Sequence, residues 1–302
     1  MKKLYVLWLI VLIILFSANC NPNKNREIID RSGRTVTIQG PFNRIISTAP
    51  SNTEIIVDLR QAHRLVAIDV HSVNVTGVPA GLPLLDFFYP DAEVIINLRP
   101  DLIIASGHNP TGTGEDPFKL LRDMGIPVVY ISMSKSIEEI YKDIEFIAEL
   151  LQAQDEGEEL IRLTRAQVLQ ITDEAKQRAR YIENKPAVYF EISAAPYIMS
   201  FGKDSFIDDM ISVIGAVNIF GNEDWLVMPG AESIIERNPD IIITNVNYID
   251  DPIGEIKSRP GFNHINAVIN NRVYQIDTDS SSRSSARILL ALRQMADAVY
   301  KN

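Results

Sequence analysis

The chain has 302 residues, of which 46% are apolar and 23% are charged, and its formal net charge is −10. This length allows one large domain or two ordinary domains, each able to bury its own core. The acidic balance, without a Lys/Arg-rich stripe, argues against a nucleic-acid partner, and a single cysteine excludes both an intramolecular disulfide and a cysteine-based metal site.

The N-terminus has the pattern of an export signal. Two lysines precede an apolar run, Leu4 to Phe16, and small residues lead from that run to Cys20. The run is shorter than the roughly 20 residues that span a bilayer. The arrangement resembles a bacterial lipoprotein signal, which predicts a signal over residues 1–20, acylation of Cys20 and a tether over residues 21–26. Because Ser17 and Asn19 depart from the usual motif, an uncleaved anchor with an incidental Cys20 is the alternative.

Strands alternate with helices in the first half of the chain, which predicts a parallel sheet with crossover connections. In chain order the predicted elements are a hairpin over Asp30–Ile38, strand Arg44–Ser47, helix Thr53–Leu59, strand Leu65–Asp69, helix Ala92–Asn97, strand Asp101–Ala105, helix Pro117–Met124 and strand Pro127–Ile131.

A long helical connector follows. From Ser136 to about Glu183 the apolar residues keep helical spacing, with Gly157 as the predicted break between two helices. The second helix, Glu158 to about Ile182, carries dense charges of alternating sign, as a solvent-exposed connector does. A surface helix within one domain is the alternative.

The second half of the chain repeats the order of the first. Its predicted elements are strand Ala187–Ile192, helix Ser205–Ile214, a capping turn at 215–218, helix Glu232–Arg237, strand Asp240–Thr244, strand Arg272–Ile276 and helix Ser285–Tyr300.

One pattern occurs twice, 139 positions apart. Residues Ala92–Ile104 and Ala231–Ile243 each read as a short helix stopped by a proline and followed by a buried strand. Two copies are too few for a solenoid. We therefore predict an α/β fold with two Rossmann-like lobes and parallel sheets, with an N-terminal lobe over 27–152, a connecting helix over 153–184 and a C-terminal lobe over 185–302.

Two lobes imply a cleft, and ligands of open parallel sheets bind beyond the carboxyl ends of the strands. The segments in that position are Pro50–Thr53, Asp69–Asn74, Ser106–Pro110, Ser132–Ser134, Ala195–Ser200, Asn245–Tyr248 and Asp277–Arg283. His108 and Tyr248 are candidate ligand contacts within these segments.

Aromatic residues and one charged pair complete the candidate site. The aromatic candidates are Phe87, Phe88, Tyr89, Tyr197 and Trp225, for which core or loop packing is the alternative. Arg283 could pair with a carboxylate or phosphate of a ligand, since guanidinium presents a bidentate fork. The alternative is a surface pair between Arg283 and Asp279, worth less than about 1 kcal/mol.

The chain carries weak catalytic signatures. Its four histidines show no HExxH spacing, residues 111–116 match neither a phosphate loop nor a dinucleotide fingerprint, and a G-x-S-x-G elbow is lacking. We therefore expect a protein that is not an enzyme and has neither a resident cofactor nor a metal site.

Several motifs resemble those of the cobalamin- and iron-siderophore-binding proteins of bacterial ABC importers. They are Arg44–Glu54, Leu98–Ile104, Gly202–Ser205 and Arg283–Arg287, and the resemblance runs from about Asp30 to Tyr300. It implies the class III periplasmic-binding-protein fold, in which one long helix joins two lobes around a shallow cleft with little closing motion.

The resemblance also implies roles for single residues. The spacing is closest to that of the cobalamin-binding members of the family. By this resemblance, Phe87 and Trp225 of this chain would face the cleft, and Asp279 and Arg283 would contact the ligand. Asn74 stands where a tyrosine is expected, so haem and ferric siderophores stay open as ligands. Glu93 and Glu232, at matching positions of the repeat, would dock onto the two permease subunits.

The function expected from these features is that of a lipid-anchored, extracytoplasmic binding protein. It would act as a monomer that captures a metal-chelate nutrient and delivers it to an ABC permease dimer with its ATPase. The alternatives are an enzyme that uses the same cleft, since fold does not fix function, and a surface adhesin or scaffold with a vestigial cleft.

Overall fold

The computed structural model describes residues 25–87, 89–107, 116 and 118–301, and places them in two lobes built on separate sheets. The predictions that concern Cys20 and the rest of residues 1–24, and those for Phe88 and His108, fall outside these residues. None of the helices formed by the described residues is long and apolar enough to span a bilayer.

A small antiparallel hairpin opens the described chain, with strands β1 (Arg26–Ile29) and β2 (Thr35–Ile38). Its turn is held by Asp30, whose carboxylate accepts from the backbone amides of Ser32 and Arg34 over 2.9 Å each. The other oxygen of Asp30 accepts from the amide of Tyr130, which ties the hairpin to the first lobe. The turn and the second strand of the predicted hairpin are confirmed, but the first strand lies wholly before the predicted range, which begins at Asp30.

The N lobe is built on five parallel strands in the order β5-β4-β3-β6-β7. Its elements are β3 (Ile45–Ser47), helix α1 (Pro50–Asp58), β4 (Leu65–Asp69), β5 (Leu84–Leu85), α2 (Ala92–Asn97), β6 (Leu102–Ser106), α3 (Lys119–Asp123), β7 (Val128–Ile131) and α4 (Ile137–Leu151). Helix α1 begins three residues earlier than predicted, because the fixed φ of Pro50 suits the first position of a helix.

The C lobe is built on a mixed sheet in the order β11-β9-β8-β12-β13, with β10 beside β8. Its elements are β8 (Ala187–Ser193), β9 (Met199–Phe201), α6 (Phe206–Val213), β10 (Val217–Asn218), β11 (Leu226–Val227), α7 (Ala231–Arg237), β12 (Ile241–Thr244), α8 (Pro252–Ser258), α9 (Asn266–Ile269), β13 (Val273–Gln275), α10 (Thr278–Ser282) and α11 (Ile288–Val299). Strands β8, β12 and β13 are parallel, as predicted, but β9 and β11 add an antiparallel edge.

The two lobes are joined by helix α5 (Gln154–Ala179), which at 1.5 Å per residue is about 39 Å long. It packs between α4 and α11, and ion pairs link it to both, from Arg165 to Glu138 and from Arg178 to Asp297. The predicted break at Gly157 is wrong. The chain turns at Gln152, which has a φ of +56°, and Gly157 lies in the first turn of α5. A Cβ there would lie 2.5 Å from that of Ala148, so glycine permits close packing of α4 on α5.

Apolar side chains form three buried clusters among the described residues. The largest runs through both lobes, from Ile45 and Ile55 through Ile144 on α4 and Ile171 on α5 to Phe190 and Leu292. Each lobe has a second cluster on the other face of its sheet. Because burial of apolar area dominates folding, this shared core fixes the lobes against one another and defines the space between them.

Candidate ligand-binding cleft

A cleft of about 720 Å³ lies between the lobes, lined by residues that follow the strands of both sheets. From the N lobe these are residues 49–52 after β3, residues 70, 71, 73 and 74 after β4, Ser106 at the end of β6 and residues 131–134 at the end of β7. From the C lobe they are residues 245–248 after β12 and residues 278, 279 and 282–284 after β13. The carboxyl ends of the parallel strands therefore face the cleft, as the strand order predicts.

The segment Ala195–Ser200 does not line the cleft. Strand β9 returns antiparallel to β8, so this segment forms the tip of a hairpin rather than a crossover loop. Tyr197 stands on that tip with 80% of its side chain exposed, away from the lining residues. Ile192, Phe201 and Phe206 occupy this part of the wall instead.

The aromatic cluster before the first repeat divides in the structure. Phe87 is 1% exposed, in the core of the N lobe, with its ring 6.1 Å from that of Phe118. Phe87 is therefore a core residue, as the alternative interpretation predicts, and it does not form part of the cleft wall. Tyr89 is 86% exposed and lies outside the cleft lining.

Trp225 and Tyr248 do line the cleft. The indole of Trp225 packs at 49° on the ring of Phe201, with centroids 5.9 Å apart. The phenol oxygen of Tyr248 accepts from the amide of Ala194 over 2.8 Å, so that the end of β8 holds this side chain at the rim.

A buried ion-pair cluster forms one end of the cleft. Arg283 pairs with Asp279 over 2.8 Å on the cleft side and with Glu54 of the N lobe over 2.7 Å behind it. The hydroxyl of Ser285 also donates to Glu54, over 2.6 Å. The pair between Arg283 and Asp279, which is the alternative interpretation of Arg283, thus exists, but it is part of a larger, buried group.

Glu54 and Ser285 are site residues that the sequence patterns do not predict. A signal was present, since both lie in the motifs, Arg44–Glu54 and Arg283–Arg287, that carried the family resemblance. What the sequence does not show is that these two motifs, more than 200 residues apart, contact each other.

The rest of the lining is neutral and combines polar side chains with apolar ones. Serines and asparagines contribute from both lobes, and Asn245 is oriented by its own hydrogen bonds to Ser281 and Ser282, over 3.0 and 3.1 Å. Behind the N-lobe wall, burial raises the pKa of Asp69, whose carboxylate caps the turn that carries His71. Amide and hydroxyl groups of this kind can donate to, or accept from, an uncharged polar ligand.

A side pocket of about 410 Å³ adjoins the cleft and shares Ser132, Met133 and Trp225 with it. Arg34 and Lys135 line this pocket opposite Asp204 and Asp224. Within the described residues, no three His, Cys, Asp or Glu side chains come together in a way that could hold a metal ion.

The two repeat glutamates lie at equivalent places. Glu93 is exposed in the first turn of α2, and Glu232 is exposed in the first turn of α7. Helix α2 is capped by Asp91, whose side chain accepts from the amides of Glu93 and Val94, so its N-terminus does not depend on Glu93.

Comparison with known proteins gives a consistent result. The model of the periplasmic binding protein family matches residues 45–280. An uncharacterised ABC transporter substrate-binding lipoprotein of Bacillus subtilis, YvrC, is 30% identical over 273 residues, which cover 90% of this chain and 85% of that protein. A vitamin B12-binding protein of Vibrio cholerae is 28% identical over 260 residues, which cover 84% and 88% of the two chains.

Among solved structures, a possible iron-binding periplasmic solute-binding protein of Staphylococcus epidermidis superposes with a TM-score of 0.76 at 34% identity, covering 87% of this chain and all of the other. The chain therefore belongs to the periplasmic binding protein family, which confirms the resemblance to the solute-binding proteins of cobalamin and iron-siderophore ABC importers.

Proposed function

We propose that this protein captures a bulky metal-chelate nutrient, of the cobalamin, haem or ferric-siderophore type, in the cleft between its lobes and delivers it to an ABC permease. The observation that carries this proposal is the cleft itself. It is concave, its volume lies within the range of small-molecule sites, and it joins an aromatic wall at Trp225 to a neutral lining of polar and apolar side chains. The vitamin B12-binding protein of Vibrio cholerae and the possible iron-binding protein of Staphylococcus epidermidis have names that agree with this ligand class.

Titration of the purified protein tests the proposal directly. Cobalamin, haem and a ferric siderophore are each added while tryptophan fluorescence is recorded. Trp225 reports on the cleft, since the other tryptophan, Trp8, belongs to the apolar N-terminal run. We expect at least one chelate to bind with a Kd of about 1 µM or lower and to quench Trp225. A Trp225→Phe variant identifies the part of the signal that comes from the cleft. Failure of all three classes to bind would overturn the proposal.

The anchoring is part of the same proposal. Acylated Cys20, followed by a short tether that ends near Arg26, would keep the binding lobes at the outer face of a bacterial membrane. The lipoprotein name of the Bacillus relative supports this placement. A single lipid-anchored monomer would then meet its permease dimer and ATPase by motion along the membrane.

Delivery requires a surface that the permease recognises. Glu93 and Glu232 suit this role, because matching helices of the two lobes each present one exposed glutamate in the first turn. A permease of two equivalent subunits would offer two equivalent cationic partners. Charged contacts of this kind govern association and orientation more than affinity for the ligand.

A further inference from the structure

The charges of the cleft are unusually few and are already paired. Among its described lining residues, those that carry a formal charge are Asp279 and Arg283, and they contact each other. In the adjoining side pocket Arg34 and Lys135 are balanced in number by Asp204 and Asp224. A ligand that enters from solvent therefore meets a surface with no net positive charge.

Arg283 is held from behind by the opposite lobe. Its side chain is 10% exposed and that of Glu54 is 6% exposed. One nitrogen, Nη1, donates to Glu54, while Nη2 contacts Asp279 and lies 3.3 Å from the carbonyl oxygen of His71. Two carboxylates and a carbonyl thus occupy the guanidinium fork that would otherwise suit an anionic ligand.

Glu54 is itself fixed in place. It accepts from Ser285 as well as from Arg283, and Arg287 lies 3.8 Å from its carboxylate. Among the described residues, the ion pairs that join the N lobe directly to the C lobe are those of Glu54 with these two arginines. Glu54 lies on the far side of Arg283 from the cleft, where it lines a separate cavity of about 400 Å³ together with Arg287.

We infer that Glu54 determines the charge specificity of the cleft. By neutralising Arg283 from behind, it removes the cation that a carboxylate-bearing or phenolate-bearing chelate would need. It also leaves Asp279, whose Oδ1 faces Arg283, to accept a hydrogen bond from the ligand. The cleft then favours chelates with a neutral, amide-rich or hydroxamate periphery over anionic ones. This inference rests on the proposed function, and it identifies Glu54 as a positioning residue that acts through Arg283.

A panel of four chelates tests the inference. Cyanocobalamin and ferrichrome carry no net charge, whereas haemin carries two propionates and ferric citrate is an anion. For the wild-type full chain, in detergent, we expect at least one uncharged chelate to bind at least about tenfold more tightly than either anion. The Glu54→Gln variant keeps the size and hydrogen-bonding capacity of the side chain but leaves one more unit of positive charge beside the cleft. We expect this variant to lower the ratio of the Kd of the anions to the Kd of the uncharged chelate by about tenfold or more, mainly because the anions bind more tightly.

Two further variants make the result specific. In the Glu54→Gln/Arg283→Gln double variant the preference for uncharged chelates should return, because the tighter binding of anions depends on the guanidinium of Arg283. The Glu158→Gln variant, the same chemical change on an exposed glutamate of α5, should leave the ratio unchanged. Should Glu54→Gln fail to fold, Asp279→Asn adds the same unit of charge from the more exposed side of Arg283 and should also raise the affinity for anions.

The outcomes separate the two proposals. If none of the four chelates binds the wild-type protein, the proposed function fails and this inference fails with it. If a chelate binds but the anions bind the wild type as tightly as the uncharged chelates, the inference alone is overturned. The same holds if the ratio is unaltered in Glu54→Gln and in Asp279→Asn.

Discussion

The backbone amide of Gly202 donates to the carbonyl oxygen of Trp225 over 3.0 Å, and this contact positions the aromatic wall of the cleft. A methyl group at Gly202 would lie 2.7 Å from the carbonyl oxygen of Asp224 and closer still to that of Glu223. Glycine is therefore required for the close approach of the two segments.

The Gly202→Ala variant should displace the loop that carries Trp225. We expect a loss of about 1–3 kcal/mol in the free energy of unfolding, the usual cost of overpacking, together with weaker ligand binding. Gly125→Ala is the control, since Gly125 has a φ of +84° but open space around a Cβ. That variant should lose stability through backbone strain and keep its ligand affinity. Equal effects of both variants on affinity would contradict the assignment.

Phe87 and Trp225 should differ in what their removal costs. Phe87→Ala opens a cavity in the N-lobe core and should lower the free energy of unfolding by about 3–5 kcal/mol. Trp225→Ala removes a cleft wall and should weaken chelate binding by about 1–3 kcal/mol, the scale for burial of a large apolar side chain. Urea unfolding and ligand titration of both variants separate the two effects. If the Phe87→Ala protein loses affinity for the chelate while its free energy of unfolding is unchanged, Phe87 is a cleft residue and its assignment to the core is wrong.

Anchoring can be tested at Cys20. If this residue is acylated, Cys20→Ser should release the protein from the membrane fraction or leave it as an unprocessed precursor. Fractionation of cells followed by mass spectrometry of the N-terminus gives the answer. Unchanged processing and membrane retention would favour an uncleaved anchor over residues 1–20.

If Glu93 and Glu232 dock the protein onto its permease, docking should depend on the charge of both residues. The Glu93→Arg/Glu232→Arg double variant should bind its ligand within about twofold of the wild type and yet abolish transporter-dependent uptake, because like charges at a docking face oppose association. Glu145→Arg/Glu158→Arg, two reversals on the exposed faces of α4 and α5, is the matched control for net charge. Uptake that survives in the double variant would limit both glutamates to stabilising their helix N-termini, at about 0.3–1 kcal/mol each.

Asp116 gives the stability of the N lobe a dependence on pH. Burial opposes its ionisation, but hydrogen bonds from its neighbours outweigh burial and hold the pKa of Asp116 well below 3.8. The donors are Arg122, Tyr130, the amide of Phe118 and Arg34. Because the folded pKa lies below the unfolded value of about 3.9, this stabilisation is complete above that value and disappears as the pH falls through the folded pKa.

Asp116→Asn should therefore lower the free energy of unfolding by about 1–3 kcal/mol near neutral pH. The difference from the wild type should shrink as the pH falls below about 4. Urea unfolding at several pH values measures both quantities. A difference that stays constant across this range would mean that the carboxylate charge plays no part.

Local pattern was enough to predict most of the elements. Strand β4 and helix α2 have the predicted bounds, because a short apolar run and a proline stop are set by nearby residues. The sequence does not predict the edge strands β9 and β11. Each has only two or three residues, so it has no pattern of its own and is stabilised by pairing with its neighbour. The prediction of a helix end at Gly157 is wrong for a related reason. Glycine is required there by the close contact with Ala148 on the neighbouring helix, which the local pattern does not show.

The sequence by itself determined the two-lobe α/β fold, the family and the position of the cleft, because internal repetition and alternating apolar runs are properties of neighbouring residues. Tertiary structure alone decided that Phe87 is core while Trp225 faces the cleft, since both belong to similar aromatic loops and differ in what packs against them. It also decided the pairing of Glu54 with Arg283. Long-range contacts of this kind depend on how two separate sheets are oriented by a shared core, which no local pattern encodes.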